Sequence, residues 1–220
     1  MTSFLELEVD QKGEGISIYL DKYIEELIGE YQVMHAKFIK PKAVPMSPGL
    51  LLDNSDCPEL PDPVKQKQYR SMIAKVQFAA YWIRFDISYT TSQLARFCAS
   101  AGPSHWAALT HLIGYLIHRP SFKIAYKRGA VGGLDGYADS DWANSVSRRS
   151  TSGLLARYNC TPILWRSKMQ KTVALSTAEA EYYSASEMAV ETIYLRGLLL
   201  NMRLPEDDDT PIFEDNAACI

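Results

Sequence analysis

Apolar and polar residues alternate at the start of the chain, over Phe4 to Val9 and again over Gly15 to Leu20. A period of two predicts two strands, joined by the polar turn Asp10-Gln11-Lys12-Gly13-Glu14. The period then lengthens. Tyr23, Ile24, Leu27, Ile28 and Tyr31 recur at helical spacing, with Asp21 in the position of an N-cap. Lys40 to Pro63 breaks both periods: six prolines, with Gly49, Asp53, Asn54 and Ser55, predict a loop that wraps over a surface. Three amphipathic helices are expected beyond it. They run from Val64 to Arg84, from a cap at Asp86 to Ala99, and from Trp106 to Ile117, with Gly102-Pro103-Ser104 separating the last two.

Phe122 to Tyr126 reads as a short strand, and the three glycines between Arg128 and Gly133 set a domain boundary after residue 128. Residues 129–220 then alternate again. Strands are predicted over Leu134 to Ala138, Thr151 to Tyr158 and Pro162 to Arg166, with Gln170 to Leu175 as a further strand or a continuation. Ser176 opens a long helix to about Met202. Pro205 to Asp209 is an acidic loop, and Pro211 to Glu214 a last short strand. Strands, then a helix, then a strand describe a mixed α/β layer fold, preceded in residues 1–128 by a β-hairpin and a small helical bundle.

Composition adds little to this and charge adds more. The 220 residues are 47% hydrophobic and 22% charged, as in an ordinary globular protein. No apolar run approaches the roughly 18 residues of a membrane span, and no leader pattern precedes the first strand; an intracellular protein without a membrane partner is expected. Cys57, Cys98, Cys160 and Cys219 are scattered, with no CxxC pair and no His at ligand spacing, which predicts free thiols and argues against zinc. The net charge of −3 conceals an uneven distribution. Between Trp142 and Ala178 stand Arg148, Arg149, Arg157, Arg166, Lys168 and Lys171 with no Asp or Glu, while acids flank the stretch on both sides. A basic strip among carboxylates can hold a phosphate backbone beside a cation site, and it can equally be a solvated sheet face.

Among the acids, Ser176-Thr177-Ala178-Glu179 fits a capping box, which gives Glu179 a structural task at the Ser176 amide. Glu181 has none. It shares a helical stripe with Ala185, Met188, Leu195 and Leu199, the face that should pack on the sheet, where an ionised carboxylate is costly unless paired or bound to a metal. Asp139 and Asp215 each end a predicted strand, and strand ends facing one helix can bring distant acids together around a hard cation. Each acid also has a simpler explanation: Asp139 or Asp141 as a turn residue, Asp215 as the cap of a helix near Asn216.

The wording of these segments resembles the Pol polyprotein of copia-type retrotransposons. Gly136-Tyr137-Ala138-Asp139-Ser140-Asp141-Trp142-Ala143 with Arg148-Arg149-Ser150-Thr151-Ser152-Gly153 is similar to the opening of its ribonuclease H domain. The run from Trp165 through Leu175-Ser176-Thr177-Ala178-Glu179-Ala180-Glu181-Tyr182 looks like the continuation, and Ile212-Phe213-Glu214-Asp215-Asn216 like the third segment. Phe4-Leu5-Glu6-Leu7-Glu8-Val9, Tyr69-Arg70-Ser71-Met72-Ile73-Ala74, Arg84-Phe85-Asp86-Ile87-Ser88-Tyr89 and His105-Trp106-Ala107-Ala108-Leu109 resemble the end of its reverse transcriptase.

The resemblance implies a ribonuclease H-like mixed sheet with a packed long helix in 129–220, and a thumb- or connection-like reverse transcriptase segment in 1–128. It implies hydrolysis of RNA in RNA–DNA hybrids by two Mg²⁺ or Mn²⁺ ions held by Asp139, Glu181 and Asp215, with Asp141 as the fallback for Asp139. Arg148, Arg149, Lys168 and Lys171 would neutralise phosphates, Trp165 would lie along a sugar or in the core, and the rest of the polyprotein would be a partner. The family's tyrosine-x-aspartate-aspartate polymerase motif is absent, so no polymerisation is expected. The family's fourth Asp is expected on a later helix beyond Ile220; its absence from this sequence implies a truncated domain with weak or lost activity. The alternatives are a remnant that binds nucleic acid without cutting it, and a helical interaction module in residues 64–117.

Overall fold

The structure is a computed structural model that describes residues 2–36, 38–204 and 209–216, with side chains from Leu5 onward. Among the described residues the chain is mixed α/β with two sheets and five α-helices, and it divides into two compact units, Met1–Ala125 and Tyr126–Ile220.

The first unit opens with an antiparallel meander of β1 (Thr2–Phe4), β2 (Leu7–Lys12) and β3 (Gly15–Tyr19). The single strand expected over Phe4 to Val9 is interrupted because Leu5 and Glu6 both adopt left-handed conformations, φ 49° and 66°, and make a tight turn. Helix α1 (Asp21–His35) follows, with Leu20 rather than Asp21 at the N-cap. Asp21 is instead the first helical residue and accepts a hydrogen bond from the Ser121 hydroxyl at 2.9 Å. Helix α2 (Pro63–Trp82) starts one residue before the predicted Val64, because the Asp62 carboxylate accepts from the Val64 and Lys65 amides and Pro63 fits the first helical position.

The helix expected from Asp86 to Ala99 is shorter: a 3₁₀ turn (Phe85–Ile87) leads into α3 (Ser88–Ala95). Asp86 does not cap it. Its carboxylate takes two hydrogen bonds, each 2.9 Å, from Arg84, whose guanidinium also donates to the Arg119 carbonyl and lies over the Tyr115 and Phe122 rings. A charge so buried is tolerated because the guanidinium is paired with a carboxylate, donates to a carbonyl and is covered by aromatic rings. Helix α4 (Pro103–His118) begins at Pro103 rather than Trp106, and β4 (Lys123–Lys127) completes the sheet order β1-β2-β3-β4. Tyr31, Tyr69, Met72, Ile73, Leu94 and Leu109 form the centre of the helical layer.

The second unit contains β5 (Leu134–Asp141), β6 (Thr151–Tyr158), β7 (Thr161–Met169), α5 (Thr177–Asn201) and β8 (Ile212–Phe213), in sheet order β7-β6-β5-β8. β5, β6 and β7 are antiparallel neighbours, whereas β8 lies parallel to β5. β6 turns into β7 through Asn159 and Cys160, both left-handed (φ 49° and 63°), a two-residue hairpin turn. Gln170 to Leu175 is not a strand. β7 ends at Met169, and the buried Gln170 side chain donates to the Ser152 hydroxyl (3.1 Å) and the Ala180 carbonyl (2.9 Å), tying the sheet to the helix.

Ser176 caps α5 as expected, accepting from the Glu179 amide at 3.1 Å. Glu179 reaches one residue further back than a capping box requires, accepting from the Leu175 amide at 2.7 Å. Leu134, Ala138, Leu154, Ala156, Met188, Leu195 and Leu199 form the core between sheet and helix. Gly136 lets them meet, since a Cβ there would stand 3.1 Å from the Met188 side chain. The predicted acidic loop at Pro205 to Asp209 lies mostly outside the described residues, as does any helix beyond Asn216.

Candidate metal centre

The core packing fixes where the acids of this unit meet. α5 turns Glu181, Met188, Leu195 and Leu199 onto the sheet, and Glu181 is only 6% exposed. The parallel pairing Gly136↔Ile212 and Tyr137↔Phe213 sets β8 beside the middle of β5. Two residues further along each chain stand Asp139 and Asp215. Asp139, Glu181 and Asp215 each offer a carboxylate oxygen within 4.8 Å of the others. Asp139 and Asp215 are exposed, so the cluster has one dry member and two open to solvent.

The electrostatics of the cluster follow from that burial. Desolvation is the main reason the Glu181 carboxyl is pushed up to about 7; the Ser140 hydroxyl opposes it, and the nearby Glu214 and Asp139 carboxylates reinforce it. Glu181 Oε2 is buried without a hydrogen-bond partner among the described residues. Such an oxygen needs a proton or a cation. An all-oxygen donor set of this kind suits Mg²⁺ or Mn²⁺. Asp141, the fallback for Asp139, lies outside this grouping and accepts from the Asn144 amide nitrogen at 2.7 Å.

The basic residues divide by task. Arg157 pairs with Asp135 at 2.7 Å, and Arg166 with Glu191 at 2.9 Å and Glu187 at 3.5 Å, so both are spent on the fold. Arg148, Arg149, Lys168 and Lys171 are exposed. Arg148 lies over the Trp142 ring at 5.5 Å, and the Trp142 indole donates to the Ala174 carbonyl at 3.2 Å, which anchors an aromatic and cationic surface on the loop after β5. Sequence reasoning overlooked Trp142. Trp165, weighed for that role, is half-buried in β7.

A second grouping appears in the first unit, where Asp56, Cys57 and His105 converge although no sequence spacing links them. Its donors are largely engaged by the start of α4: Asp56 accepts from the Ser104 amide (2.5 Å) and hydroxyl (2.9 Å), and His105 Nδ1 accepts from the Gly102 amide (2.9 Å). This is a helix cap.

No protein-family model matches the chain, and no solved structure matches it. Curated relatives do. The retrovirus-related Pol polyprotein from transposon RE2 of Arabidopsis thaliana is 32% identical over 216 residues, 97% of this chain and 14% of that protein. The corresponding polyprotein from transposon TNT 1-94 of Nicotiana tabacum is 31% identical over 192 residues, 86% of this chain and again 14% of the relative. Secreted RxLR effector protein 161 of Plasmopara viticola is 37% identical over 133 residues, 60% of this chain and 94% of that protein.

Fold and site together define a two-unit α/β protein whose second sheet ends in a carboxylate cluster. The chain belongs to the Pol polyproteins of copia-type retrotransposons. It spans about one seventh of the length of the polyproteins it matches, 14% in each case.

Proposed function

We propose that the second unit is a ribonuclease H-like domain whose activity is metal-dependent hydrolysis of RNA in RNA–DNA hybrids. In the same reading, the first unit is the C-terminal, thumb- or connection-like segment of a reverse transcriptase, and other Pol segments are its partners. The observation that carries this reading is the convergence of Asp139, Glu181 and Asp215, residues remote in sequence, within 4.8 Å.

The residues fit a pair of divalent cations: three carboxylates, one of them buried with an unsatisfied oxygen. Cations bound there supply Lewis acidity and a more acidic water at the scissile phosphate. Asp139, within β5, and Asp215, just beyond β8, would hold them. Glu181 would hold them from the first turns of α5, as a deprotonated carboxylate. Arg148, Arg149, Lys168 and Lys171 neutralise backbone phosphates of the hybrid, and the Trp142–Arg148 pair offers a stacking surface beside them.

The test is cleavage of a labelled RNA–DNA hybrid. Mg²⁺-dependent cutting is expected, falling at least about 100-fold in Asp139→Asn, which keeps the side chain's shape and removes a ligand charge. Hybrid binding with no cleavage under any divalent cation would favour a non-catalytic nucleic-acid-binding protein instead.

A further inference from the structure

Gln170, Ser152 and Ser184 are buried together between the second sheet and the start of α5, beside the apolar core. They form a closed ring of hydrogen bonds. The Gln170 amide nitrogen donates to the Ser152 hydroxyl at 3.1 Å and to the Ala180 carbonyl at 2.9 Å. The Ser184 hydroxyl is directed at the same two acceptors, at 2.9 Å and 3.3 Å. Gln170 is itself fixed, because its backbone amide donates to the Ser150 carbonyl at 2.8 Å, one step past the last β6–β7 pair.

Packing alone does not call for this arrangement. Gln170 Oε1 is buried with no hydrogen-bond partner among the described residues, a desolvation cost that a methionine of similar length would avoid. What the ring supplies is a fixed geometry. Its anchor on the sheet, Ser152, pairs with Ser140, and the adjoining Gly153 pairs with Asp139. Its anchors on the helix, Ala180 and Ser184, share the buried face of α5 with Glu181. The ring therefore ties the strand segment that carries Asp139 to the helical turn that carries Glu181. Hydrogen bonds are directional where apolar contacts are not, so the ring selects one placement of that turn on the sheet.

We propose that Gln170 is a positioning residue of the cation site: clamped between β6 and the first turn of α5, its amide sets Glu181 at the distance from Asp139 that a shared ion requires. This inference rests on the metal-centre reading above. Titrating the full chain with Mn²⁺, and following free Mn²⁺ by electron paramagnetic resonance, separates the two. Gln170→Met fills the same space without the bonds and should weaken Mn²⁺ binding by at least about tenfold. Ser152→Ala breaks the ring from the sheet side with a smaller change and should weaken binding in the same direction; it takes over the test if Gln170→Met does not fold.

Leu199→Ala loosens the same sheet–helix core at the far end of α5, away from the ring, and should leave the affinity within about twofold. Unchanged binding in folded Gln170→Met (or in Ser152→Ala, where that variant decides), or equal weakening in Leu199→Ala, overturns the positioning role and leaves the three-carboxylate site standing. A wild-type chain that binds no Mn²⁺ removes the metal-centre reading itself, and the role of Gln170 with it.

Discussion

At the scale of single residues, Glu181 is the most informative side chain. Its position on the apolar stripe of α5 is visible in the sequence, because the helical period sets it in line with Met188, Leu195 and Leu199 and no capping role accounts for it. Its consequence for stability can be given a sign. In metal-free protein the folded-state pKa is raised to about 7 from an ordinary value near 4.5, so the folded chain keeps a proton that the unfolded chain releases. This contribution to stability is fully present below about 4.5 and is lost as pH rises through about 7. Denaturant melts in chelator should therefore show stability declining across that window, and Glu181→Gln should flatten the decline. A wild-type profile that instead rises over the same window would contradict the burial argument.

At the scale of elements, periodicity located β6 and α5 well because each buries one regular face. It failed where side chains override the backbone pattern. Gln170 interrupts an apolar-looking run by donating to Ser152 and to the first turn of α5, which ends the strand and aims the helix. Asp86 resembles a helix cap in sequence but is drawn to Arg84 across two residues. The Leu5-Glu6 turn lacks the glycine that normally announces left-handed geometry and was not legible, whereas Asn159-Cys160 falls in the gap predicted between two strands. The Gln170 link has a measurable cost. Gln170→Ala leaves the Ala180 carbonyl and the Ser152 hydroxyl without that donor, and should lower unfolding free energy by about 1–3 kcal/mol. A loss below about 0.5 kcal/mol in a urea titration would show that the link does not orient α5.

At the scale of the whole molecule, two units of different architecture follow one another along the chain. The glycine-rich segment after Arg128 begins a few residues beyond Ala125, where the first unit ends. Motif order signals the family, and the relatives bear it out over nearly the full length. What motif order cannot supply is convergence, because the three acids lie on β5, α5 and the end of β8, and only the folded sheet brings them within 4.8 Å. That convergence is the basis of the proposed cation site. Its most direct measurement is an anomalous-scattering map from crystals of the chain grown with Mn²⁺. Anomalous density is expected in contact with the Asp139, Glu181 and Asp215 carboxylates; a map with those three carboxylates ordered and no Mn²⁺ among them would rule out a cation site there.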